Sequence, residues 1–76
     1  MDLRQLEMVR AVAENSSFTL AGRQLNVAQS AISRKIKLLE NELGEKLFRR
    51  VNKKVFLTPA GTVMLRYSDR IFQEAP

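Results

Sequence analysis

Two helical patterns separated by only three residues, within residues 18–37, restrict this chain more than any other feature. The stretch FTLAGRQLNVAQSAISRKIK reads as a short helix, a tight turn at residues 26–28 and a second helix. On the second helix Ile32, Ile36, Leu39 and Leu43 recur at i, i+4, i+7 and i+11, one stripe that reads as core. On the shorter one Phe18, Ala21, Gly22 and Leu25 share a face, and two of the four lack bulk, which lets another helix cross closely. Gly22 lowers helix propensity by about 1 kcal/mol relative to alanine, so a turn at Gly22 in place of a helix stands as the alternative. So brief a connection between helices this short implies a steep crossing, the geometry of a helix-turn-helix.

The flanking segments extend that unit. Leu3, Leu6, Val9 and Ala13, with Val12 widening the stripe, predict a first helix, and Asp2 suits the positive end of its dipole. Asn15-Ser16-Ser17 favours turns and caps, with Ser17 the expected N-cap of the next helix and Thr19 its alternative. Gly44 suits the left-handed position that ends a helix. Beyond it, Leu47-Phe48-Arg49-Arg50 and Val55-Phe56-Leu57 are short runs around Val51-Asn52-Lys53-Lys54 and read as a β-hairpin. Thr58-Pro59 is a helix start, a hydroxyl N-cap followed by proline where its missing N–H matters least. In that last helix Val63, Met64, Tyr67, Ile71 and Phe72 form an apolar stripe, with Leu65 to one side. So small a core cannot use all of it, and a partner surface is the natural destination for the excess. The expected fold is mainly α: a winged helix-turn-helix over residues 1–58, then a C-terminal helix from 59 to 76.

At about 100° per residue, Gln29, Ser30, Ser33, Arg34 and Lys37 fall on an arc adjoining the core stripe. Such side chains hydrogen-bond to base edges and phosphates, and no acid sits among them. The net charge is +5, and its distribution matters more than its sum. Residues 15–39 hold four basic residues (Arg23, Arg34, Lys35, Lys37) and no acid, and residues 46–68 hold six (Lys46, Arg49, Arg50, Lys53, Lys54, Arg66) and no acid. That pattern puts a positive field on one side of a small domain. A solvated surface would account for the charges equally well, and from the residues alone the outward arc could be no more than a solvated helix face.

Several function classes lose their means. With no cysteine or histidine, disulfides and the usual zinc sites are excluded, as are the commonest general base and the strongest nucleophile. Glu40, Glu42 and Glu45 read as an exposed helix end, not a catalytic pair. Three scattered glycines make no phosphate loop. No apolar run approaches the roughly 20 residues that span a bilayer, so the expected compartment is the cytoplasm. Single-stranded RNA binding is disfavoured, because the aromatic residues sit at core-like spacings. A winged helix used for protein contact remains a rival, and it differs from DNA binding in salt dependence.

The motifs together resemble the N-terminal DNA-binding region of LysR-type transcriptional regulators, from Leu3 to at least Gly61. They are Leu3-Arg4-x-Leu6 with Ala11-Val12-Ala13-Glu14, then Ser17-Phe18-Thr19, then Leu25-x-Val27-x-Gln29-Ser30-Ala31-Ile32-Ser33-Arg34. Leu39-Glu40-x-x-Leu43-Gly44-x-x-Leu47-Phe48-x-Arg50 and Leu57-Thr58-x-Ala60-Gly61 follow without insertion. The resemblance implies a bacterial regulator, homodimeric or tetrameric, on a palindromic double-stranded DNA operator. Gln29, Ser33 and Arg34 would read bases in the major groove, while Ser30, Lys35, Lys37, Arg50, Lys53 and Lys54 would hold the backbone or serve the wing. Val63, Met64, Tyr67, Ile71 and Phe72 would pair the last helix with its twin. No cofactor is expected for these residues; a small-molecule effector would belong to a larger C-terminal domain that this chain does not include.

Three positions depart from the family's pattern. Lys53 stands where a wing-tip arginine commonly enters the minor groove; it keeps the charge but lacks the planar fork. Ala28 replaces a capping Ser or Thr, a loss of about 1 kcal/mol unless Ser30 or a bound phosphate substitutes. Gly22 replaces a usual alanine.

Overall fold

The computed structural model describes residues 1–73, so the part of the expected C-terminal helix at 74–76 lies outside the described residues. The helices are α1 (Leu3–Asn15), α2 (Phe18–Leu25), α3 (Gln29–Leu43) and α4 (Pro59–Ile71). Strands β1 (Phe48–Val51) and β2 (Lys54–Leu57) form an antiparallel wing between α3 and α4. No helix among the described residues is long and apolar enough to cross a membrane.

Local chemistry sets most boundaries. Asp2 stands just outside α1 as its N-cap, accepting from the Gln5 N–H at 2.7 Å while the Gln5 side chain accepts from the Asp2 N–H at 3.0 Å. This reciprocal capping box satisfies two donors that a helix start otherwise leaves open. Ser17, not Thr19, caps α2, its Oγ accepting from the Leu20 N–H at 3.0 Å. Asn26 ends α2 in the left-handed region at φ 58°, which asparagine tolerates better than most residues. Gly44 ends α3 at φ 73°. Thr58 caps α4 through the Gly61 N–H, with Pro59 in the first turn.

Gly22 lies within a helix, not a turn, and its bareness is used there. A Cβ at this position would stand 2.6 Å from the Val27 carbonyl oxygen. The turn into α3 therefore lies directly on the backbone of α2.

α1 is the centre of the molecule, packing against α2, α3 and α4. A helix covered from three directions needs more than one stripe, so Met8 and Ala11 join Leu6, Val9 and Val12 in the core. Leu3, expected on that stripe, is 60% exposed in the first turn. The core continues through Phe18, Ala21, Ile32, Ile36, Leu39, Leu47 and Phe48. Leu43, expected to complete the α3 stripe, is instead 38% exposed at the helix end beside the Gly44 cap.

The wing pairs Phe48 with Leu57, Arg49 with Phe56, Arg50 with Val55 and Val51 with Lys54. Pairing thus extends one residue further on each strand than the apolar runs predict, and only Asn52 and Lys53 form the turn. Both have positive φ, 50° and 67°. Two left-handed central residues match the natural twist of a hairpin, which favours the two-residue loop over a longer one. Directly opposed residues share a face, so Phe48, Arg50, Val55 and Leu57 point one way and Arg49, Val51, Lys54 and Phe56 the other.

α4 divides the expected apolar stripe in two. Gly61, Met64 and Ser68 face inward, with Phe72 half-buried beyond them. The Arg10 guanidinium lies 5.4 Å from the Phe72 ring centre, and its Nε donates to Asp69 at 3.0 Å. Val63, Tyr67 and Ile71 face outward, 63%, 48% and 41% exposed. Met64 packs against the core and Phe72 is half-buried, while the other three are exposed.

Candidate nucleic-acid interface

α3 is oriented by its inner face. Ile32, Ile36 and Leu39 are fully buried, and Gln5 of α1 donates to the Lys35 carbonyl at 3.1 Å. That anchoring turns Gln29, Ser30, Arg34 and Lys37 to solvent, with Ser33 half-buried at the edge of the same arc. Lys35 is exposed too. At about 100° per residue, however, it lies some 160° round the helix from Lys37, on a different flank.

A groove separates α3 from the wing. Its volume is about 510 Å³, and its walls include Ser33 and Lys37 from α3 and Arg49 and Arg50 from β1, with Lys46 and Glu40 at the root. A smaller hollow of about 240 Å³ brings Gln29 together with Arg50, Lys53, Ser17 and Thr19. Gln29, Ser33, Lys37, Arg50 and Lys53 are therefore assembled by the fold around one connected surface. Lys54 is not among them: it lines neither the groove nor the smaller hollow. Ser30 and Arg34 occupy the exposed crest of α3.

Phe18 links the two halves of this surface. Its buried ring meets Phe48 edge-on, with centres 5.8 Å apart and planes at 72°. Arg50 lies over the same ring at 4.2 Å, an attraction between the guanidinium and the π-face that holds the cation in place beside the groove.

Glu40 corrects the expectation of an exposed acidic helix end. Its carboxylate accepts from the Leu47 N–H at 2.8 Å and the Phe48 N–H at 3.4 Å. The one acid lining the groove is thereby engaged with backbone, and it binds the end of α3 to the first residue of the wing. The signal in the sequence was an acid one turn before the helix-ending glycine, the first of three between two basic segments. Glu42 accepts from the N-terminal ammonium of Met1 at 2.7 Å, and Glu45 is exposed.

Among the described residues, Arg34, Lys35, Lys37, Lys46, Arg49, Arg50, Lys53 and Lys54 make no salt bridge. Their charge is thus left available to a polyanion. Lys46 and Arg49 were counted in the basic segments but given no role; only the folded wing shows that they border the groove.

On α3 itself, the Gln29 side-chain amide donates to Ser33 Oγ at 3.1 Å. Ala28 makes no side-chain capping bond, and Ser30 does not substitute for it. The Ala28 carbonyl still accepts from the Ala31 and Ile32 N–H groups at 3.0 and 3.2 Å.

Comparison with known proteins places this geometry. Residues 3–62 match the model of the bacterial regulatory helix-turn-helix proteins of the lysR family. The chain is 48% identical over 69 residues to a probable RuBisCO transcriptional regulator of Thalassiosira pseudonana, covering 91% of this chain and 22% of that protein. It is 42% identical over 73 residues to the RuBisCO operon transcriptional regulator of Allochromatium vinosum, covering 96% and 24% respectively. This chain therefore spans about a quarter of the length of these relatives. Among solved structures, the CbnR DNA-binding domain in complex with DNA superposes with a TM-score of 0.90 at 37% identity, covering 96% of this chain and 84% of that one. The BenM DNA-binding domain bound to catB site 1 DNA gives 0.89 at 41% identity, covering 93% and 80%. With the family model spanning residues 3–62 and the same winged helix-turn-helix in both structures, the chain belongs to the lysR family of bacterial regulatory helix-turn-helix proteins.

Proposed function

We propose that this chain is the sequence-specific, double-stranded DNA-binding part of a transcriptional regulator, with α3 entering the major groove and the wing meeting the adjacent minor groove or backbone. The observation that carries the reading is the surface shared by α3 and the wing. A polar crest without acids stands beside a groove whose cations make no salt bridge among the described residues and whose one carboxylate is occupied by backbone N–H groups. The likeness to two chains solved as DNA complexes supports it.

Division of labour follows from position. Gln29 and Arg34 read base edges, with Ser33 beside them on the same arc; a well-formed bidentate pair discriminates by roughly 1–3 kcal/mol. Lys37, Arg50 and Lys53 hold phosphates around the groove and fix register without reading sequence. Ser30 contacts backbone from the crest, while Lys35 and Lys54 act from flanking faces. The outward stripe of Val63, Tyr67 and Ile71 pairs with a second copy, giving a dimer suited to a two-half-site operator.

Selection of bound sequences from a random duplex pool at moderate salt tests the reading. A two-half-site motif is expected, and Arg34→Ala should lose preference at particular base pairs while the far-ultraviolet circular dichroism stays helical. Full sequence preference in that variant would remove α3 from the major groove. Binding that ignores salt would favour a protein contact instead.

A further inference from the structure

We propose that Ser33 is a positioning residue that fixes the carboxamide of Gln29, and that the pair thereby selects adenine over guanine in the major groove. The inference rests on the DNA-binding reading above and adds to it the base that one side chain demands.

Gln29 and Ser33 are one helical turn apart, and the Gln29 Nε2 donates to Ser33 Oγ at 3.1 Å. Among the described residues, Ser30, Arg34 and Lys37 on the same arc make no side-chain hydrogen bond, so this is the one fixed polar pair on the reading face. Ala28 precedes Gln29 without a side chain that could compete for the amide. Ser33 is half-buried against the groove while Gln29 is exposed, so the hydroxyl is the steadier member and the amide the one being steered.

The direction of the bond decides the chemistry. A primary amide has two N–H donors on one end and a carbonyl acceptor on the other. With one N–H given to Ser33, the groups left for DNA are a single N–H and Oε1. Adenine presents N7 as an acceptor and N6 as a donor, which is the complement of that pair. Guanine presents two acceptors, N7 and O6, so Oε1 would oppose an acceptor. The opposite amide orientation, with Oε1 turned to the Ser33 hydroxyl, would offer two donors outward and suit guanine. Here Ser33 Oγ receives the nitrogen end, the orientation that leaves the adenine-complementary pair facing outward.

The test uses random-duplex selection with this chain and its Gln29→Ala, Ser33→Ala and Ser33→Thr variants, each first checked for helical circular dichroism. The position whose preference disappears in Gln29→Ala is the one Gln29 reads, and adenine is expected there. Ser33→Ala should reduce the adenine-to-guanine ratio at that position by about tenfold, with other positions retained. Ser33→Thr, which keeps the hydroxyl, should restore it. An unchanged ratio in Ser33→Ala would overturn the proposal alone, as would a Gln29-dependent position that prefers another base. Loss confined to a different position would also overturn it, because Ser33 would then be reading a base itself. If the unaltered chain selected no sequence at all, both this proposal and the DNA-binding reading would fall.

Discussion

α3 and the wing face the same groove, yet they are held there by different physics. α3 is fixed from behind by Ile32, Ile36 and Leu39, all buried against the core. The wing has one buried strand residue, Phe48, and leaves Val51 and Phe56 about half exposed. Its position relative to α3 depends on a few specific ties at its root. Glu40 holds the Leu47 and Phe48 N–H groups, Phe18 meets Phe48 and Arg50, and the Thr58 N–H donates to the Leu47 carbonyl at 3.0 Å. Packing gives α3 a rigid azimuth, which reading bases requires. Phe48, Val55 and Leu57 pack the wing against the core more thinly. The hydrogen bonds and one cation–π contact at its root are ties that substitutions can loosen separately.

The comparison predicts a graded series of effects. Ile32→Ala should be the most severe, at about 2–5 kcal/mol of unfolding free energy, because a cavity opens directly under the reading face. Chemical denaturation measures it, and a loss below 1 kcal/mol would mean that α3 is not held by its core stripe. Gly61→Ala acts at the wing root instead. A Cβ there would meet the Leu47 carbonyl oxygen at 2.0 Å, so backbone must shift, and a loss of about 1–3 kcal/mol is expected. Wild-type stability in that variant would show that α4 does not press on the wing root as described.

Glu40→Ala should lower stability by roughly 1–2 kcal/mol, since it strips the Leu47 and Phe48 N–H groups of their acceptor. Its diagnostic effect is on binding: overall affinity should fall more than base preference at the α3 positions. Equal loss of both would mean that α3 and the wing move as one body. The smallest effect is expected of Lys53→Ala, an exposed residue at the wing tip. Stability should hardly change, affinity should fall across all sequences, and the slope of log K against log salt should drop by about 0.9. An unchanged slope would take the wing tip out of the contact set.

Much of this molecule was legible before folding, wherever the information lay within one helical turn. Ser17, Thr58-Pro59 and Gly44 marked helix ends because caps act on backbone groups two or three residues away. The split of α3 into a core stripe and a polar arc was legible for the same reason, since helical periodicity is local. The resemblance to known motifs then gave the arc a purpose that periodicity could not.

Other features required the tertiary structure. A stripe on one helix says which residues are neighbours, but not at what azimuth another element will cover them. Val63 and Met64 looked equivalent until the fold packed Met64 against the core and left Val63 to solvent. Leu3 and Leu43 fit their stripes yet lie at helix ends and remain exposed. Lys35 and Lys54 carry the same charge as Lys37 and Lys53, but helix azimuth sets Lys35 on another flank and Lys54 lines neither hollow. Glu40 read as a solvated acid, because its partners at Leu47 and Phe48 come into reach only when the chain reverses after Gly44. Residues 18–37 by themselves determined that there would be a two-faced helix in a helix-turn-helix. The packing of α1 and the wing around that helix decided which of its polar residues share a groove, because long-range contacts alone fix how one element is turned toward another.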